Sequence, residues 1–437
     1  MDWTGAATIL FGTSLALMLV GIPVAIAFFA TNIVAALLFM GGGPGIAQII
    51  NNGFGAMTTF ALVPIPMFLL MGELFYHTGL ATRCFNAADK LLGNVRARLS
   101  YVTLVGGTGF AGLTGSSMGA CALLGSLMVP DMMKRGYNKY LSIGPIMGVG
   151  GLAVIIPPSA VTVLLATLGQ TDVADLLIAG IIPGLVLATM YGVLIWVWST
   201  LDPSAAPYYE ADPVPRQEKI RLFMVDVVPL VGVILFSIII LMVGWATPTE
   251  SAALGALAVA VLAGFYRLLT WRAIVKAIEG TLRVTVMAFL IVFGSATFAQ
   301  ILAFTGASSG LMNWALSLQI TPMSMLWAMI GVLLFLGCFM DQLSMMLLTA
   351  PIFFPLAKTL GFDLTWFGII MLLALEIGYT TPPFGLLLFV MKGVAPAGTS
   401  MRDIYLAALP FIGCVLLLIV LIIAFPPLAT WLPRLAD

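Results

Sequence analysis

The sequence predicts an all-α polytopic membrane protein made of two inverted repeats, each with five crossings and one re-entrant helical hairpin. Three observations carry that prediction. Of 437 residues, 61% are hydrophobic and 8% charged, with a mean hydropathy of +1.13, far from the composition of water-soluble domains. Apolar runs of about 20 residues, the length a helix needs to cross a hydrocarbon core of roughly 30 Å, recur from Thr8 onward. Helix-breaking residues of the first half also return in the second at a fixed spacing.

Taken in order, the first spans are 5–21 and 23–40. The first has no basic flank and leads into further spans, so it reads as a retained helix and not a cleaved signal. After a span at 59–79, residues 99–134 are too long for one crossing and are interrupted by "GLTGSSMG". Each limb is about 15 residues, or roughly 22 Å of helix, too short to cross. Arg96, Arg98, Lys134 and Arg135 flank the segment, placing both of its ends on the cytoplasmic side of a re-entrant hairpin. Spans at 139–170 and 174–200 complete a first repeat, 1–200. Residues 201–225, with "DPSAAPYYEADPVPRQEK", form the one long hydrophilic stretch and read as a cytoplasmic linker. The second repeat, 226–437, holds spans at 226–245, 249–267, 284–304, 362–391 and 403–425. Its hairpin, about 324–358, centres on "GCFMDQLSMM" and enters from outside. "WRAIVKAIEGTLR", Trp271 to Arg283, alternates basic and apolar faces as an interfacial helix does, and its apolar counterpart is Gly45 to Gly55; both read as braces of a fixed frame. With both termini outside, sixteen of the eighteen basic residues fall in cytoplasmic loops, leaving Lys358 and Arg434.

A shift of 225 places Gly112 on Gly337, Pro130 on Pro355, Gly136 on Gly361, Pro157 on Pro382 and Pro158 on Pro383. Farther out the shift becomes 227, pairing Gly79 with Gly306 and Pro183 with Pro410. Five crossings per half force the second copy to insert upside down, the arrangement of secondary transporters. Within it, "IIPPSA" and "YTTPPFG" are paired helix breaks, which must be buried in protein or line a polar cavity. A proline kink is the alternative for a lone break; a matched pair favours an ion or substrate site. The hairpin tips present free helix ends. Thr114, Gly115, Ser116 and Ser117 supply oxygens and close backbone approach in the first half, and Asp341, Gln342 and Ser344 in the second. Plain helix packing is the competing use of such hydroxyls.

Several signals are weighed and set aside. "GTGFAG" matches the dinucleotide fingerprint without a preceding strand. "GSSMG" matches the nucleophile elbow of an intramembrane serine hydrolase, whose base would have to be His77, the one histidine, four residues after Glu73. Cys84, Cys121, Cys338 and Cys414 lack metal or disulfide spacing, and zero net charge gives nucleic acid no footprint. Among embedded carboxylates, Asp341 and Glu376 are candidates to balance a coupling ion, Glu73 faces the interior or a subunit contact, and Asp131 pairs locally with Lys134 or Arg135.

On "GLTGSS", "VPDMMKRGY", "GGLAVIIPPS", "GWATPTESAALG" and "EIGYTTPPFGLLLFV", the chain resembles, over essentially its whole length, the large membrane subunit of tripartite ATP-independent periplasmic (TRAP) transporters. The resemblance implies a bacterial inner-membrane protein that takes up a small organic acid by Na+-coupled elevator transport and is not an enzyme. It implies two partners: a small four-helix membrane subunit, expected as a separate chain, and a periplasmic binding protein that delivers the substrate. It also implies two Na+ sites, one at Gly337, Gly378 and Thr381, the other at Gly112, Ser116 and Ser117 with the backbone of Ala153, Ile156 and Pro157. The substrate would meet Thr114, Asp341, Gln342 and Ser344 at the tips, with Ser159 and Thr380 from the breaks. A stand-alone elevator symporter or antiporter is the alternative, with no partner required. No cationic side chain lies at either tip to name the carboxylate.

Overall fold

The computed structural model describes residues 2–93, 95–114, 117–207, 215–337, 340–382 and 385–436, and among them there is no strand. Helices α1 (Trp3–Leu19) and α2 (Val24–Phe39) are apolar on every face, the mark of a helix surrounded by protein and lipid. Gly42, at φ +75°, leads into α3 (Gly43–Met57), whose buried stripe is Gly45, Ile49 and Gly53. Pro64 and Pro66 prevent α3 from running on; one 3-10 turn, Phe60–Leu62, separates it from α4 (Pro64–His77). Then come α5 (Leu80–Leu92), α6 (Arg98–Thr114) and α7 (Ser117–Lys134).

Helix α8 (Lys139–Ile155) stops at the first Pro-Pro pair, and α9 (Ala160–Gly169) resumes at a bend of 46°. The carbonyl of Val154 would accept from residue 158 in a continuous helix, but Pro158 has no N–H. Ser159 and Thr162 hydroxyls donate to it instead, at 2.8 and 2.7 Å. The break is therefore closed by side chains, as a medium without water demands. Next are α10 (Val173–Ala179) and α11 (Ile181–Leu201). Gly180, between them, sits so close to the end of α8 that an added Cβ would lie 2.1 Å from the Ile155 carbonyl oxygen.

The second half contains α12 (Arg216–Leu222), α13 (Val228–Met242), α14 (Pro248–Phe265), α15 (Trp271–Phe304), α16 (Ala307–Ser317), α17 (Pro322–Gly337), α18 (Gln342–Thr359), α19 (Leu364–Thr380), α20 (Leu386–Val394) and α21 (Met401–Ala424). Helices α7 and α18 are both 18 residues long and start 225 residues apart. Helices α8 and α19 are both 17 residues long at the same separation. Both leave the helix in extended backbone, Ile156 at φ −76°, ψ 120° and Thr381 at φ −86°, ψ 133°.

Two boundaries differ from the sequence reading. Helix structure begins at Arg216, inside the stretch read as linker, and a π turn at Phe223–Val227 carries it into α13. Nothing in "RQEKIRLFMVD" breaks a helix; the π turn falls just before Pro229, whose missing N–H frees the Val225 carbonyl for the Tyr266 hydroxyl. Second, the interfacial brace and the following span are one unbroken 34-residue helix, α15, because no proline occurs between Trp271 and Phe304. Among the described residues, six helices or helix runs are long and apolar enough to cross a membrane, seven with the bent α8–α9 pair. Helices α1, α2 and α19, which the sequence reading also counts as crossings or parts of them, are 16 or 17 residues long.

Two groups of helices matter for the site. In one, α4 packs on α14 and α15, and α15 also carries α2 and α3; Asn32 of α2 donates to the Gly294 carbonyl and the Thr297 hydroxyl of α15, at 2.7 and 2.6 Å. In the other, α6, α7, α11, α19 and α21 all pack on α8. Every residue from Leu141 to Ile155 and from Trp366 to Thr380 is buried. Arg83–Asp226 at 2.5 Å and Lys90–Glu218 at 3.6 Å tie α5 to the segment before α13.

Candidate functional site

Where the two groups meet lies a partly open cavity of about 170 Å³. Among the described residues its polar lining comes from one side: Ser117 of α7, Asp341 and Gln342 at the start of α18, and Tyr379 of α19. The opposite wall is Ile65 and Leu69 of α4 with Val284, Met287 and Ala288 of α15, and α9 closes the space with Ala160, Val161 and Leu164. Asp341 caps α18, its carboxylate accepting from the Ser344 amide at 3.3 Å, as a residue preceding a helix does.

Behind the polar side lies Glu376, 2% exposed. Its Oε2 accepts from Gln342 Nε2 at 3.2 Å and lies 3.2 Å from the Ser117 hydroxyl, which also donates to the Gly150 carbonyl at 2.8 Å. One carboxylate thus joins α7, α18 and α19 beside α8. Gly151 makes the room, since a Cβ there would sit 3.1 Å from the Glu376 side chain.

The sequence-selected residues fall into three sets. Ser117, Asp341 and Gln342 line the cavity. Ser159 and Thr380 do not; their hydroxyls are spent on backbone, Thr380 on the Glu376 carbonyl at 2.9 Å. Ser344 is buried and its hydroxyl has no partner among the described residues. Gly337 and Gly378 meet backbone to backbone, an added Cβ on Gly337 falling 2.3 Å from the Gly378 Cα. The Thr381 hydroxyl donates to the Ile377 carbonyl at 2.5 Å. The carbonyls of Tyr379 and Thr381 converge beside Gly385, 2.7 and 2.8 Å from where its Cβ would be. Ala153 and Pro157 are buried and Ile156 partly so. Gly112 and Thr114 belong to the last turn of α6, but their surroundings, like Gly115, Ser116, Cys338 and Pro383, lie outside the described residues. Asp131 pairs with Arg135 at 3.0 Å.

Sequence reasoning missed the apolar wall and Tyr379. One face of α15 lines three successive cavities. Val284 borders both the central one and one of about 300 Å³ that also includes Glu73, Tyr76 and Ser126. Val292, Ser295, Ala296 and Ala299 border another of about 730 Å³, with Gln170 and Lys358. The spacing 284, 288, 292, 295, 299 is one helical stripe, and the small size of its residues is the signal that was available.

Over residues 11–428 the chain matches the family described as tripartite ATP-independent periplasmic transporter, DctM component. The chain belongs to that family. It is 33% identical over 380 residues to the C4-dicarboxylate TRAP transporter large permease protein DctM of Pseudomonas aeruginosa, covering 86% of each chain. To the protein of that same description in Vibrio cholerae it is 30% identical, covering 98% of both. The sialic acid TRAP transporter large permease protein SiaM of Vibrio cholerae is 28% identical over 96% of this chain and 97% of its own. The crystal structure of the Alcanivorax borkumensis YdaH transporter shares the fold at a TM-score of 0.62 and 14% identity, covering 93% of this chain and 98% of that one. As a DctM component, the chain is a multi-pass membrane transporter subunit and not an enzyme. The geometry agrees: Ser117 engages Gly150 and Glu376, whereas His77 pairs with Glu73 at 3.2 Å.

Proposed function

We propose that the chain performs Na+-coupled uptake of a small carboxylate across the bacterial inner membrane by an elevator movement. In this reading a small four-helix subunit enlarges the frame and a periplasmic binding protein delivers the substrate. The observation that carries it is the one-sided cavity: among the described residues, the polar lining groups belong to α7, to α18 and its cap Asp341, and to α19, and the facing wall of α4 and α15 is apolar. A polar block against a smooth wall can move past it without leaving unpaired hydrogen-bonding groups behind, which lipid-buried structure cannot tolerate. The matched helix lengths of α7 with α18 and α8 with α19 support the inverted repeat.

For the ion, the second half offers the better fit. The Tyr379 and Thr381 carbonyls converge beside Gly385, close to the Gly337–Gly378 contact; among the described residues the Thr381 carbonyl accepts one bond, from the Gly385 amide at 3.1 Å, which leaves it a lone pair, and oxygens of that kind suit a dehydrated Na+. In the first half, Val154, 225 residues before Tyr379, has its carbonyl occupied by Ser159 and Thr162. For the substrate, the cavity's about 170 Å³ is near the ~150 Å³ that admits benzene, a fit for a compact acid of the kind named for the dicarboxylate relatives.

The test is uptake of radiolabelled organic acids, succinate first, into proteoliposomes holding this chain and its small partner, with and without binding protein and an inward Na+ gradient. Accumulation that needs both supports the tripartite reading. Accumulation without the binding protein replaces it with a stand-alone elevator, and accumulation indifferent to Na+ removes the coupling assignment.

A further inference from the structure

Glu376, which the sequence offers as a candidate to balance a coupling ion, has no part in the ion site proposed above, although its burial is nearly complete and its surroundings are built to hold it. Its two polar neighbours, the donor Gln342 and the Ser117 hydroxyl, whose one proton lies between Glu376 at 3.2 Å and the Gly150 carbonyl at 2.8 Å, are cavity-lining groups from α18 and α7, which no other described side-chain hydrogen bond links. Both converge on the same oxygen, Oε2; Oε1 is buried without a hydrogen-bond partner among the described residues. On the same helix, Gly378 is two residues further on and Thr381 a little over one turn. We infer that Glu376 is a positioning residue that couples cation binding at the end of α19 to the shape of the central cavity.

The inference rests on the Na+ reading above and deepens it. A cation drawn to the Tyr379 and Thr381 carbonyls pulls on the last turn of α19. Glu376 belongs to the turn before it, and its Oε2 passes any displacement to the first residue of α7 and the first residue of α18 together. The link needs one acceptor oxygen in place and does not need the charge. A glutamine can supply that acceptor with its amide oxygen, its NH2 taking the place of the unpartnered Oε1; an alanine cannot.

The experiment uses the purified full chain in nanodiscs with Met118, which lines the cavity and is 41% exposed, changed to cysteine as a reporter. Two quantities are read in Na+ and in choline: the thermal midpoint, which reports cation binding, and the rate at which Met118→Cys reacts with a water-soluble maleimide, which reports the cavity. In the parent, Na+ is expected to raise the midpoint and to change the labelling rate about fivefold or more, the lower end of ordinary coupling between sites. Glu376→Ala is expected to keep a Na+-dependent midpoint and lose the labelling response; Glu376→Gln is expected to restore it. If Glu376→Ala does not fold, Gln342→Leu, which removes one donor, is expected to weaken the response. A full response in Glu376→Ala, or in Gln342→Leu where it stands in, overturns the inference. So does a Glu376→Gln that behaves like Glu376→Ala, because the charge would then be the working feature, and so does a parent whose midpoint responds to Na+ but whose labelling does not. A parent midpoint indifferent to Na+ overturns the Na+ reading itself and the inference with it.

Discussion

At the scale of single residues, the site is made by what glycine and proline omit. Pro158 omits a donor, and two hydroxyls replace it at the Val154 carbonyl. Changing both, Ser159→Ala with Thr162→Val, leaves that carbonyl buried and unpaired, at about 1–3 kcal/mol; thermal unfolding in detergent should show the double variant clearly destabilised and either single variant much less so. Gly337 omits a Cβ where the Gly378 backbone already stands 2.3 Å away. Gly337→Ala must push α17 from α19, and uptake is expected to fall at least tenfold while expression persists. Thr381→Val keeps the size of the side chain and removes its hydroxyl. That hydroxyl ties residue 381 to the Ile377 carbonyl at 2.5 Å; without it the Thr381 carbonyl of the proposed ion site is held less firmly, so the Na+ concentration for half-maximal uptake is expected to rise, and an unchanged Na+ dependence would contradict that assignment.

At the scale of elements, what could be read from the sequence follows from what punctuates it. Helices α7 and α18 begin and end where Gly, Ser, Asp and Lys mark the chain, so their limits were legible to within a few residues. The junction between α8 and α9 was legible for the same reason. Helix α15 was not: Arg272, Lys276 and Arg283 look like the edge of a membrane, yet charge does not stop a helix, and only a proline like those ahead of α4 would have done so. The site residues divide similarly. Ser117, Asp341 and Gln342 were legible as polar groups in apolar surroundings, whereas Ile65, Val284 and Ala288 are indistinguishable in sequence from residues that face lipid or core. That apolar stripe makes its own prediction. Ala296→Trp places the largest side chain on the wall and is expected to abolish uptake while leaving the effect of Na+ on the thermal midpoint intact.

At the scale of the whole molecule, the two helix groups touch through surfaces of unequal character, and the elevator reading requires that they shift against each other. Ser295 of α15 donates to the Leu347 carbonyl of α18 at 3.0 Å, a direct contact between the two groups. A Ser295→Cys, Leu347→Cys pair oxidised to a disulfide is expected to stop uptake, and reduction to restore it. Uptake at the full rate with the crosslink formed and verified by mass would show that these two helices do not need to move apart.

The same hydrogen bond bears on where such a movement comes to rest. A wall of valine, methionine and alanine is slippery: every position along it costs about the same, and nothing in it tells a sliding block where to halt. Among the described residues, the Ser295 hydroxyl is a notch on that face that grips its passenger by a directed bond, worth on the order of 1 kcal/mol, enough to favour one stop about fivefold over its neighbours and too little to trap it there.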